Sequence, residues 1–82
     1  MVSAVMLVNT DIDSQEAVAE GLRRVDGVVE AHELYGVYDL LLKVNAQSLD
    51  DLRDLAKHRI KRVSGVTSAL TLMINDSKAQ PP

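Results

Sequence analysis

At 82 residues the chain has room for one small domain. It has no cysteine and only two histidines, far apart, so neither disulfides, thiolate metal sites nor a structural metal centre are expected to staple it. Nine Lys and Arg against twelve Asp and Glu, a net charge of −3, and two tyrosines as the only aromatics argue against nucleic acid or an anionic membrane as a direct partner. Association with further copies is then the remaining route by which so small a core gains stability.

Residues 2–9, VSAVMLVN, form a short apolar run rich in Val that reads as a strand and is too short for a membrane span. Alternation puts Val2, Ala4, Met6 and Val8 on one face and Ser3, Val5, Leu7 and Asn9 on the other. Both sets contain apolar residues, so both faces are expected to be covered. No Lys or Arg precedes this run, which makes it a poor signal peptide, and a cytoplasmic location is the expectation. Residues 10–13 form a loop, and Asp13 with Glu16 three positions on has the spacing of a capping box. Val18, Leu22 and Val25 follow as one helical stripe, with Glu16 and Glu20 early and Arg23 and Arg24 late, as the helix dipole favours. Gly27 is the expected stop.

A second, more polar strand is expected over 28–35, nearer a sheet edge. Gly36 and Val37 make a short turn into a third strand over 38–46, the two forming a hairpin. Ser48, with Asp51 three residues on, caps a second helix whose apolar stripe is Leu49, Leu52, Leu55, Ala56, Ile60 and Val63. Gly65 ends it, and a fourth strand runs over 66–75. The domain is thus 1–75, and the polar tail 76–82, ending in two prolines, is expected to be disordered.

The resulting β-α-β-β-α-β order predicts an α+β, ferredoxin-like fold: a four-stranded antiparallel sheet with both helices on one face. An internal echo supports it. Arg24-Val25-Asp26-Gly27-Val28 matches Arg62-Val63-Ser64-Gly65-Val66, each at a helix-to-strand junction. The other sheet face is bare and rich in apolar residues, which predicts at least a homodimer, packed sheet to sheet.

This fold hosts many functions, so activity must be argued from side chains. A metal chaperone would need paired cysteines, an RNA-recognition domain aromatics on the central strands, and a phosphate loop clustered glycines; none is present. His32 and His58 have only the acidic neighbours any acidic surface provides, and both read as solvated or edge residues. Asp50, Asp51 and Asp54 read as the solvated start of a helix. No Ser, Lys or Tyr is placed as a nucleophile beside a base. No cofactor, metal or catalytic residue is expected. The unusual local feature is Tyr35-Gly36-Val37-Tyr38-Asp39. It can be ordinary turn chemistry, with Gly supplying backbone freedom and Asp accepting backbone N–H bonds. It can also be a small polar pocket whose carboxylate pairs with an ammonium group, with amides and hydroxyls of 64–68 holding a carboxylate. Ammonium plus carboxylate would mean an amino acid.

Gly36-Val37-Tyr38-Asp39 running into Leu40-Leu41-Leu42-Lys43-Val44, and Arg62-Val63-Ser64-Gly65-Val66 running into Leu70-Thr71-Leu72, resemble the effector-binding domain of the Lrp/AsnC transcription regulators. This is the RAM domain, named for regulation of amino acid metabolism. The resemblance covers residues 2–75 and is to the stand-alone form, without the helix-turn-helix DNA-binding domain of full-length members. It implies a sheet-to-sheet dimer, rings of dimers such as octamers, and amino acid effectors bound between dimers. Carried over by position, the ligand-binding residues are Leu34, Gly36, Tyr38 and Asp39 from the hairpin, and Val66, Thr67, Ser68, Thr71 and Leu72 from the last loop and strand. Full-length Lrp/AsnC regulators are candidate partners. The main reading is an amino-acid-binding regulatory module. The alternatives are a small dimeric barrel enzyme of the monooxygenase or isomerase type, using His32 or a pocket carboxylate as base, and a ligand-free structural oligomer.

Overall fold

The computed structural model describes residues 1–73. Strand β1 (Val2–Thr10) leads to α1 (Gln15–Arg23), then β2 (Val28–Glu33), β3 (Leu40–Ala46), α2 (Leu49–Asp54) and β4 (Val66–Met73). Between α2 and β4 the helix continues without a break as a π-helical segment, Leu55–Ile60. The four strands form one antiparallel sheet in the order β2-β3-β1-β4. This is the ferredoxin-like α+β fold expected from the element order, with the polar strand β2 at an edge. The tail expected over 76–82, and the last two positions expected in the fourth strand, lie outside the described residues.

Period-two alternation in the central strands decides which side chains form the core. Ala4, Met6 and Val8 of β1 pair in register with Val44, Leu42 and Leu40 of β3, and all six are buried beneath the helices. Val18, Ala19 and Leu22 of α1 close the core from one side, and Leu52, Leu55 and Ile60 from the other. At roughly 1.5–3 kcal/mol for each large apolar side chain fully buried, this cluster holds the fold. The other register set stays on the open face: Val5 and Leu7 of β1, Leu41 of β3, and Leu70 and Leu72 of β4, opposite one another in the ladder. Leu70 and Leu72 are 43% and 46% exposed, so the apolar surface anticipated on this face is present.

The sequence echo is also an echo in structure. Gly27 and Gly65 take φ of 103° and 96°, each followed by a valine whose N–H donates to the valine three residues back. Only glycine adopts such a φ without strain.

Three expectations are corrected. Asp13 does not cap α1, because it sits in the left-handed region at φ 63° within the turn closed by Ser14 N–H to the Asp11 carbonyl; the helix begins at Gln15 after Ser14. The link between β2 and β3 is longer than a two-residue turn: residues 34–39 leave the sheet, so Tyr38 and Asp39 precede β3 rather than belonging to it. The second helix is not uniformly α. In an α-helix Leu55 and Ile60, five apart, would point roughly 140° apart at 3.6 residues per turn. The i→i+5 winding of a π segment aligns them, and both are buried. Its predicted cap is present, with Ser48 Oγ accepting from Asp51 N–H at 3.1 Å, but Leu49 of the predicted stripe is 53% exposed.

Candidate functional site

Asp39 stands at the end of the sheet where β1 finishes and β3 begins. Its backbone N–H donates to the Val8 carbonyl at 3.0 Å, and its carbonyl accepts from Leu34 N–H at 2.9 Å. Its side chain reaches across to β1. Oδ2 accepts from Thr10 N–H at 2.8 Å and from the Thr10 hydroxyl at 3.2 Å. A charged acceptor makes these the stronger kind of hydrogen bond. The first residue of α1 completes the frame: Gln15 Nε2 donates to the carbonyls of both Leu34 and Asp39. The loop 34–39 is therefore pinned at both ends, to β1 and to α1. Among the described residues Oδ1 of Asp39 accepts no hydrogen bond. An open cleft of about 510 Å³ beside it is lined by Thr10, Gln15, Glu33 and the loop acids Asp11 and Asp13.

The remaining expected site residues fall into separate places. Leu34 is half-buried at the base of the loop, and Gly36, at φ 152°, forms its exposed crest. Tyr38 is half-buried, whereas Tyr35 is fully exposed, so the two tyrosines do not enclose a polar pocket within one chain. Val66 pairs with Thr10 on the far side of β1 from Asp39, placing the start of β4 at the same end of the sheet. Thr67 is exposed at an irregularity in that ladder, and Ser68 Oγ accepts from Asn9 Nδ2 at 3.2 Å on the open face. Thr71 and Leu72 lie apart from all of these, about 13–17 Å beyond Thr67 at roughly 3.3 Å per residue. They also point to opposite faces, Thr71 opposite Met6 on the helix side and Leu72 opposite Val5 on the open side. A single chain thus gathers the loop 34–39 with Val66 and Thr67, and leaves Thr71 and Leu72 elsewhere.

Sequence reasoning missed Thr10 and Gln15. Neither carries a local signal, because their partners are 29 and 24 residues away in the chain. His32 is hydrogen-bonded to Glu30 Oε1 at 2.7 Å, and Lys43 lies 3.5 Å from Glu30 Oε2. The His32 bond first, and the Lys43 charge second, hold the exposed Glu30 carboxyl below the usual carboxylate range. This trio occupies the β2 side of the open face, next to Leu41 and Val5. His58 is exposed on the π segment. Among the described residues no helix is long and apolar enough to cross a membrane.

A family model described as the Lrp/AsnC ligand binding domain matches residues 3–80. The chain is 34% identical over 74 residues to the HTH-type transcriptional regulator PH1916 of Pyrococcus horikoshii, itself uncharacterized, an alignment covering 87% of this chain and 49% of that protein. It spans about half the length of the HTH-type relatives it matches. Among solved structures it is similar to FFRP-DM1, with 31% identity and a TM-score of 0.86 over 92% of this chain and 100% of that one. The fold alone is shared with the transcriptional regulator NMB0573 of Neisseria meningitidis, solved as a complex with L-Met, at 18% identity and a TM-score of 0.82 over 96% of this chain and 53% of that one.

Proposed function

This chain belongs to the Lrp/AsnC ligand-binding domain family, and we propose that it is an amino-acid-binding regulatory module, working as an assembly of identical copies. The observation that carries this reading is the state of Asp39. Its main chain and Oδ2 are committed to holding the loop, while Oδ1 is unpaired among the described residues. A carboxylate fixed in this way is suited to receive an ammonium group, because binding need not order it first. Donors for the effector's own carboxylate come from the amides and hydroxyls around Val66, Thr67 and Ser68. Thr10 stands between these and Asp39 within one chain, so we assign them to a neighbouring copy.

Assembly is supported by two surfaces. The apolar patch of Val5, Leu7, Leu41, Leu70 and Leu72 favours a sheet-to-sheet dimer. At the Asp39 end, Ile12, Tyr35 and Val37 are each at least 85% exposed, an apolar rim suited to contacts between dimers and hence to a ring. The L-Met complex of the Neisseria regulator supports an amino acid as the ligand class. Membership of a ligand-binding family directs the reading toward regulation rather than catalysis. Full-length Lrp/AsnC regulators in the cytoplasm are the proposed partners.

A thermal-shift screen with the twenty amino acids, followed by calorimetry, tests the proposal. A ligand at 100 times its Kd stabilises the native state by about 2.7 kcal/mol. For a domain of this size that is a rise of roughly 10–20 °C. A saturable rise with one or a few amino acids is expected. No shift with any of them refutes the effector reading.

A further inference from the structure

We propose that the groove between the second helix and β4 is a separate binding site, for a small carboxylate bearing an unbranched apolar chain, the class of the medium-chain fatty acids. It lies on the helix side of the sheet, outside both the Asp39 end and the open face, and it does not depend on the effector reading.

The groove has a volume of about 470 Å³, within the range of small-molecule sites. Its origin is a mismatch in side-chain size. The helix-facing positions of β4 include Ala69 and Thr71, and the helix turns Ala56 toward them, so the layers do not fill the gap between helix and edge strand. Met6 and Leu52 form the floor, and Met73 flanks the open end. Methionines adapt their shape to an inserted chain more readily than branched residues do. Thr71, expected among the effector residues, lines this groove.

The charge around it is one-sided. Arg53, Lys57 and Lys61, spaced four apart, line the groove, and among the described residues no acidic residue does. The helix acids Asp51 and Asp54 line a different cleft together with Arg59. None of the three groove cations is in an ion pair among the described residues. Like charges at this spacing repel along a helix. An anionic head at the groove mouth relieves that repulsion while its chain covers the apolar floor. The π segment contributes Ala56 and Lys57 to the lining, and such widened turns occur disproportionately at functional sites.

Calorimetry with octanoate below its micellar concentration, with octan-1-ol and acetate as comparisons, tests this on the full chain. Octanoate should bind at least tenfold more tightly than either. The combined substitution Arg53→Gln, Lys57→Gln and Lys61→Gln should weaken octanoate binding at least tenfold. The set Arg24→Gln, Arg59→Gln and Arg62→Gln, with the same change in net charge, should leave it within twofold. In the unsubstituted protein, octanoate should move the amide resonances of Ala56, Ala69 and Thr71, which keeps the test valid if a variant fails to fold. The proposal is overturned if octanoate does not bind, if octan-1-ol binds as well, or if the shifted resonances cluster elsewhere. Loss of self-association in the groove variant without octanoate binding to the parent would assign the groove to a second copy and also overturn it.

Discussion

Asp39→Asn separates the loop-holding role seen in the structure from the ammonium-binding role proposed for this residue. Asparagine keeps one carbonyl oxygen, which can take the place of Oδ2 opposite Thr10 N–H and its hydroxyl, now 2.8 and 3.2 Å from the carboxylate. Its other terminal atom becomes an NH2 donor where the carboxylate had an unpaired oxygen, and the charge is gone. An effector ammonium would then lose a charge-assisted bond and face a donor. Hydrogen bonds to charged groups contribute about 1.5–3 kcal/mol, so affinity should fall roughly 10- to 150-fold. The fold should barely notice. Asp39→Ala removes the Thr10 acceptor as well, at a cost of about 1 kcal/mol where water can replace part of it. That corresponds to a melting temperature lower by roughly 4–8 °C in a domain of this size. Calorimetry with the best amino acid from the screen, beside thermal melts of parent and both variants, reads both quantities. If the Asn variant binds with the parent's affinity and only the Ala variant is impaired, Asp39 is a turn lock and nothing more, and its assignment to the ammonium is wrong.

Gly65→Ala should destabilise strongly, because φ is +96° and a Cβ there collides with Val18 Cγ2; about 1–2 kcal/mol of backbone strain and 1–3 of overpacking predict a fall of at least 10 °C by calorimetric melting. Gly36→Ala, where a Cβ meets nothing within 4 Å, should suffer the backbone strain alone, and an equal loss for both glycines would show that the Val18 contact is irrelevant. Leu70→Glu, on the open face opposite Leu7, should shift light scattering toward the monomer while circular dichroism keeps its parent form; an unchanged mass would remove this face from the dimer. Glu30 is held below its usual range by His32 and then Lys43, so its contribution to stability is present above its ordinary value of 4.5 and is lost as pH falls through the depressed one. Glu30→Gln should therefore trail the parent at neutral pH in denaturant titrations, with the gap closing in acid; a constant gap from pH 7 to pH 2 would contradict the pairing.

The fold was readable because its determinants are local and repeated. Alternation in β1 separates Ala4, Met6 and Val8 from Ser3, Val5 and Leu7 without knowledge of their partners, and the first set is the one buried against the helices. The matched Gly27 and Gly65 junctions mark where each helix must turn back into a strand. Of the details that escaped, one is decided by a local turn and the others by distant parts of the chain. Asp13 has the composition of a cap, but the turn made by Asp11 and Ser14 takes it into the left-handed region. The π segment is foreshadowed by the five-residue spacing of Leu55 and Ile60, yet only the sheet beneath requires both to point inward. Asp39 was identifiable as the turn aspartate, while Thr10, which holds it, lies 29 residues upstream with nothing in its neighbours to mark it.

The frame around Asp39 also bears on how the residues proposed for the effector are divided between the two halves of the sequence. Antiparallel pairing in the order β2-β3-β1-β4 always inserts β1 between the hairpin end and the start of β4. Thr10 fills that position and engages Oδ2 of Asp39 on the side of β1 opposite Val66. On the proposed function, the donors around Val66 and Thr67 that face Asp39 belong to a neighbouring copy. Bringing a second copy to the exposed rim of Ile12, Tyr35 and Val37 supplies a second set of donors without rearranging the first. A ligand bound in that way would draw contacts from two copies, and by linkage its binding would strengthen the assembly by as much as assembly strengthens its binding. On the proposed function, regulation through oligomeric state would then follow from the placement of one strand.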